Sequence, residues 1–153
     1  MADKVRSAAK GALAGALATA PMSAVMLGAD RLGLMGRQPP EVIIQKALDA
    51  ANREPRRRTV KPTAAAAHVG FGAAAGAAFA LLESDEDALP RSIAKGALFG
   101  IGLYAASYAG WIPALDILPR PGHDRKGRQP AMAVAHVVYG TALALLLAMG
   151  DER

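Results

Sequence analysis

Charged residues are missing from four stretches of this chain, and each stretch is about as long as a bilayer is thick. Nineteen residues separate Lys10 from Asp30, 21 separate Lys61 from Glu83, 20 separate Lys95 from Asp116 and 22 separate Arg128 from Asp151, none of them Asp, Glu, Lys or Arg. All 18 basic and 13 acidic residues of the 153-residue chain therefore fall outside these windows. A helix needs roughly 20 apolar residues to cross a hydrocarbon core of about 30 Å, so each window predicts a transmembrane helix. The alternative is a soluble, alanine-rich helical bundle. Helices of that kind present a polar face at 3.6-residue spacing, and these windows have none. The window at 129–150 is the most apolar and that at 62–82 the least, being rich in alanine and glycine. Such spans are expected to pack on one another rather than face lipid on all sides.

The windows are related in pairs. Ala9-Lys10-Gly11-Ala12-Leu13 with Gly15 recurs as Ala94-Lys95-Gly96-Ala97-Leu98 with Gly100, 85 positions later. Pro62 and His68 recur as Pro130 and His136, at an offset of 68, so the first half holds 17 more residues between its spans. The pattern predicts one membrane domain of two helical hairpins, repeat one at 8–82 and repeat two at 93–149. Both hairpins run in the same direction, which makes a parallel repeat about an axis along the membrane normal. A chance match between low-complexity segments is the alternative, and the matched Lys, Pro and His positions weigh against it. The twin also bears on the N-terminus, where MADKVRSAAK before GALAGALATAPMSA has the basic start and short apolar run of a cleaved signal. A segment with a structural counterpart later in the chain is expected to be retained.

Every span carries a small-xxx-small pair: Gly11 with Gly15, Gly72 with Gly76, Gly96 with Gly100, and Gly140 with Ala144. Such pairs lie on one helix face and let backbones approach closely, which drives helix association in lipid. Pro21 in the first span and Pro113 late in the third are expected to kink or end their helices.

Composition adds little beyond exclusions. With no cysteine, disulfides and thiolate metal sites are ruled out. The net charge of +5 gains meaning from its placement. Twelve of the basic residues lie in the connections after spans one and three, against six on the other side, where 83–87 is acidic. By the positive-inside rule both basic connections are expected to be cytoplasmic and both termini outside, although the basic N-terminus pulls the other way.

The longer connection also predicts a short amphipathic helix near 40–52. There Ile43, Ile44, Ala47, Leu48 and Ala51 share one side, while Glu41, Gln45, Lys46 and Asp49 take the other. Such a helix can lie in the membrane interface. Arg53, Arg56, Arg57 and Arg58 follow it and are candidates for anionic head groups, each charge contributing about 1 kcal/mol near the surface. A basic loop serving topology alone is the plainer alternative, and nucleic acid is not expected as a partner.

Two of the three histidines, His68 and His136, sit in matched surroundings, each six residues after a proline suited to the first turn of a helix. Both are expected at similar depth near the basic-loop end, where Asp30 and Asp116 close spans one and three. Ionisable groups within a membrane are functional candidates by default, so His68, His136, Asp30 and Asp116 form a candidate intramembrane site. Four readings fit it. The rings could bond across helices for structure only, sense or carry protons, ligate a tetrapyrrole axially, or bind a divalent metal together with the aspartates. His123, in the basic loop, looks merely solvated. No phosphate-binding loop, nucleophile elbow or HExxH motif occurs, so an enzyme is not expected, and no cofactor can be named.

The segment GALFGIGLYAASYAGWIPALDILPRP followed by AHVVYGTALALLL resembles the YagU-like group of small bacterial inner-membrane proteins of unknown function. In that group a glycine-rich span ends in a short Pro-containing loop, and the next span opens with a His-x-x-[aromatic]-Gly pattern, here His136, Tyr139 and Gly140. The resemblance covers mostly residues 91–149. It implies a multi-spanning membrane protein and supplies no activity. The sequence thus predicts an all-α integral membrane four-helix bundle with an interfacial helix. Its function is expected to be structural or accessory, through assembly with itself or a larger membrane complex. The alternative is a small transporter or channel-like unit with a His/Asp site, or bis-His tetrapyrrole binding.

Overall fold

The computed structural model of the protein describes residues 1–53, 57–83 and 89–151, with Arg57, Arg58 and Asp151 described in backbone only. The described residues are all-helical. Helix α1 spans Ala2–Arg31, α2 Pro39–Ala50, α3 Arg57–Leu82 and α4 Leu89–Ala106. A π-helical segment, Ser107–Trp111, and a single turn, α5 at Ile112–Ala114, prolong α4; a 3-10 turn at Pro121–His123 precedes α6, Arg128–Asp151. Three helical stretches, 2–31, 59–82 and 128–150, are long and apolar enough to cross a membrane. The fourth predicted span divides between α4, the π segment and α5, which together keep helical backbone from Leu89 to Ala114.

The prolines act differently from one another. Pro21 neither ends α1 nor lies at its end; the helix runs ten residues past it to Arg31. Pro62 lies inside α3, which begins at Arg57, rather than in its first turn. Pro113 has the predicted disruptive effect. Its ring would clash with a carbonyl one turn back, and it offers no N–H to the ladder. The chain widens just before it into the π segment, where the Ile112 N–H bonds Ser107 O, and leaves the helix at Leu115.

Glycine sets how the helices meet. In the first hairpin α1 and α3 touch backbone to backbone: a Cβ on Gly11 would strike Gly76 O, and one on Gly15 would strike Gly72 O. In the second hairpin a Cβ on Gly96 would strike Gly140 O, and one on Gly100 would strike His136 O. The register of these contacts differs from that of the sequence repeat. Gly76 faces Gly11 as Gly140 faces Gly96, an offset of 64, whereas the sequence match pairs His68 with His136 at 68. The two offsets differ by one helical turn, about 6 Å along the axis.

The hairpins join through α1 and α6. A stripe of Ala14, Ala18, Met22, Met26 and Ala29 on α1 meets Met132, Ala135, Tyr139 and Leu143 on α6, all buried. Tyr139 reaches beyond that seam and donates its hydroxyl to Gly72 O of α3 at 2.6 Å. On the opposite flank α3 and α4 meet through Phe79 and Phe99, with ring centroids 5.0 Å apart. The outer surface is apolar, with Leu13, Leu17, Leu98, Ile101, Val134 and Leu145 among the exposed side chains. Water would penalise so much exposed apolar surface, whereas lipid accepts it.

Among the described residues the two basic connections are bonded to each other. Arg128, buried, donates from Nε to Met35 O at 2.7 Å and from Nη1 to both oxygens of Asp124, at 2.8 and 3.1 Å. The Asp124 carboxylate also accepts the Tyr108 hydroxyl at 2.7 Å, and Arg125 donates to Gly33 O at 3.1 Å. Among the charges of the basic loops, Arg128 was read from the sequence as a topology signal only. In the folded chain it clasps the two loops together.

Candidate functional site

Beneath this clasp lies a chamber of about 240 Å³. Its walls come from α1 (Thr19, Met22, Met26), α3 (His68, Phe71), the π segment (Ser107, Trp111) and α6 (Met132, His136, Tyr139). Helix α2 covers it with Pro39, Pro40, Ile43 and Ile44. Two prolines in its first turn start this helix, and the Gln45 amide bonds the Asp49 carboxylate at 3.1 Å on its polar side. The apolar side predicted for the membrane interface is thus turned, at Ile43 and Ile44, onto the chamber.

Both of the matched histidines line the chamber, although they lie at different levels of the glycine register. His136 is 4% exposed and held on three sides. Its Nδ1 lies 2.7 Å from Met132 O, one turn back. A carbonyl only accepts, so Nδ1 carries the hydrogen, and in the neutral ring Nε2 is a bare lone pair. The Tyr104 ring meets the imidazole edge-on, with centroids 5.8 Å apart. Ser107 Oγ is 3.5 Å from Nε2, at the limit of hydrogen bonding. The Ser107 hydrogen goes instead to Leu103 O at 2.5 Å. His68 Nε2 is buried and has no hydrogen-bond partner.

The other hydroxyls of the chamber are committed in the same way. Thr19 donates to Ala16 O at 2.6 Å, and Tyr139 to Gly72 O. Every hydroxyl hydrogen in the lining is therefore bound to main-chain oxygen. The remaining polar groups of the lining residues are mostly electron-pair donors, namely imidazole nitrogens, hydroxyl lone pairs and thioether sulfurs, with one ring N–H of His68 and the Trp111 indole N–H as the hydrogens left over.

The aspartates predicted to join the histidines are elsewhere. Asp30 and Asp116 are both exposed, and neither lines the chamber. Asp116 takes a left-handed φ of 52° in the turn after Pro113, which carries its side chain out of the helical row. Among the described residues no three His, Asp or Glu side chains gather as a metal-ligand set. Of the head-group candidates, Arg53 is exposed just beyond α2, Arg57 and Arg58 begin α3, and Arg56 lies outside the described residues.

Three contributors escaped sequence reading. Met22, Met26 and Met132 look like ordinary core residues, and only the meeting of α1 with α6 puts them in one space. The π segment had a partial signal in Pro113, which marked a disruption without saying where the side chains upstream of it would turn. Such segments are frequent at functional sites. Compared with protein-family models, with curated proteins and with solved structures, the chain matches none.

Proposed function

We propose that this chain is a four-span integral membrane protein whose bundle binds a small ligand between His68 and His136, as a compact transporter or channel-like unit. The observation that carries the reading is a pair of imidazoles from different helices lining one chamber, His136 buried and His68 partly so, with Nε2 of each bound to no hydrogen-bond donor. Buried polar groups are ordinarily satisfied by protein or by ordered water, and an unpartnered one beside a chamber is a natural contact for a bound ion or small molecule. The apolar exterior supports the membrane setting, and the resemblance of residues 91–149 to the YagU-like group points the same way. With the basic loops cytoplasmic, the chamber lies near the cytoplasmic face, and Arg53, exposed just beyond α2, lies where anionic head groups would be. Its volume is below the roughly 300–1,000 Å³ of pockets that enclose drug-sized ligands, which favours an ion or small molecule over a tetrapyrrole.

Assembly is the second reading. The glycines of the small-xxx-small pairs are spent within the chain, which weakens it. One exposed row on α3, formed by Ala66, Gly70, Ala74 and Ala78, keeps it in play. Gly70→Leu should then convert an oligomer in detergent to a monomer.

Two measurements test the leading reading. Alkaline carbonate washing should leave the protein in the membrane pellet, and its release to the supernatant would contradict a spanning topology. Native mass spectrometry after gentle detergent release should find the 15.7 kDa chain carrying added mass. That mass should disappear in the His68→Ala/His136→Ala variant. A bare polypeptide from the wild-type protein argues against a chamber ligand.

A further inference from the structure

Resting on the small-ligand reading above, we propose that the chamber binds a soft monovalent metal ion of copper(I) type, held by His68 and His136 with thioether support from Met22, Met26 and Met132. The chemistry of the lining selects the class. With all hydroxyl hydrogens given to main-chain carbonyls, the lining residues keep at most one ring N–H of His68 and the Trp111 indole N–H for an anion and offer more numerous electron-pair donors to an acceptor. A cation is such an acceptor.

The choice among cations follows from the ligand set. No carboxylate lines the space, and Asp30 and Asp116 are exposed outside it. Hard cations such as calcium and magnesium need oxygen ligands, usually carboxylates, and a divalent charge would enter an apolar chamber uncompensated. Thioethers select copper(I), and imidazole suits copper as well. Three of the chain's six methionines line this one chamber. A single positive charge with neutral nitrogen and sulfur donors is the ion this lining suits.

The hydrogen bond behind His136 supports the same assignment. Metal-ligating histidines almost always donate their second ring nitrogen to a carboxylate, carbonyl or water, which fixes ring orientation and tautomer. The His136 Nδ1–H to Met132 O bond does this and leaves Nε2 free to coordinate. Because that nitrogen already lacks a hydrogen, His136 gives up no proton when the ion binds. Met132 contributes twice, its carbonyl orienting the ring and the residue itself lining the site.

Trp111, the only tryptophan, also lines the chamber and reports on it without labelling. Detergent-purified protein should be titrated with silver(I), a redox-inert stand-in for copper(I), while Trp111 emission is followed. Copper(I) under ascorbate, in competition with a chromogenic chelator, provides the second measurement. The expected result is quenching that saturates at one ion per chain. The His68→Ala/His136→Ala variant should abolish it. Met22→Leu, Met26→Leu and Met132→Leu combined preserve side-chain size and should weaken binding by about tenfold or more, the scale on which outer metal-site groups act. Met149→Leu and His123→Ala, both outside the chamber, should bind as the wild type does. Zinc(II) should bind at least about tenfold more weakly than silver(I), by ligand softness.

Absence of saturable quenching overturns the proposal, as does unchanged binding in a double-histidine variant with wild-type helical circular dichroism. Zinc binding as tight as silver binding overturns it too. If the double variant loses its helical signal, the methionine triple variant decides, and wild-type affinity there refutes thioether support. Added mass in the native spectrum without any silver response removes the metal and leaves the chamber reading standing. Bare polypeptide combined with no silver response removes both.

Discussion

Gly140→Val should sharply destabilise the bundle, while Gly102→Val, on the exposed side of α4, should leave it nearly unchanged. Gly140 has no room for a side chain, since its Cβ would meet Gly96 O and lie 3.0 Å from Gly100 N. Those atoms are main chain and cannot rotate aside, so α4 and α6 must move apart along their shared seam. Forcing extra methyl groups into a close-packed contact costs about 1–3 kcal/mol and occasionally more. Here the upper end is expected, because separation also weakens the dispersion contacts along the whole α4–α6 seam. Gly102 has nothing within 4 Å of its would-be Cβ, and losing a helical glycine gains back some backbone entropy. Detergent-resistant thermal melting of the two variants side by side provides the comparison. Equal midpoints would mean that the close approach of α4 and α6 does not hold the protein together.

Arg128→Met should destabilise by about 3–5 kcal/mol, the range for removing one partner of a buried ion pair. The reason lies in what remains. The Asp124 side chain is 4% exposed, and without Arg128 its carboxylate keeps only Tyr108 and the Arg125 main-chain N–H. Met35 O loses its donor at the same time. An apolar replacement of both partners, Arg128→Met with Asp124→Leu, should recover part of the loss, because no unpaired charge is left inside. A double-mutant cycle on thermal midpoints in detergent checks this. If the single Arg128 variant melts with the wild type, the clasp contributes no stability. The same variant should also loosen α2, because Met35 lies in the short connection leading to it. Faster proteolysis at the Gly33–Gln38 connection is the expected sign.

How much of this was legible beforehand depends on whether a feature is local to the chain. Charge exclusion over 20 residues is local, so the helical stretches, their approximate limits and the amphipathic α2 could be read directly. Small residues at four-residue spacing were legible as close-contact faces for the same reason, since spacing along one helix fixes which residues share a side. The prolines were read less well. A proline's effect depends on whether surrounding backbone can absorb a missing hydrogen bond, and α1 continues past Pro21 whereas the chain before Pro113 widens into a π segment.

The candidate site was legible as a pair of histidines and not as a constellation. Matched sequence contexts singled out His68 and His136, and both line the chamber. The aspartates were added by position at the ends of their spans. An end position fixes axial level but not direction around the helix, and after Pro113 the chain has already left the helix when it reaches Asp116.

By itself, then, the sequence determined where this chain is helical, which stretches exclude charge, which faces admit close approach and which imidazoles stand in apolar surroundings. These properties are set by neighbours within a few turns. Tertiary structure alone decided the glycine register one turn away from the repeat, the Arg128 clasp between two loops, the covering of the chamber by α2 and the meeting of three methionines with two histidines. Each depends on residues from separate helices, and the distance between helices is fixed by backbone packing at glycine, which sequence spacing along any one helix does not encode.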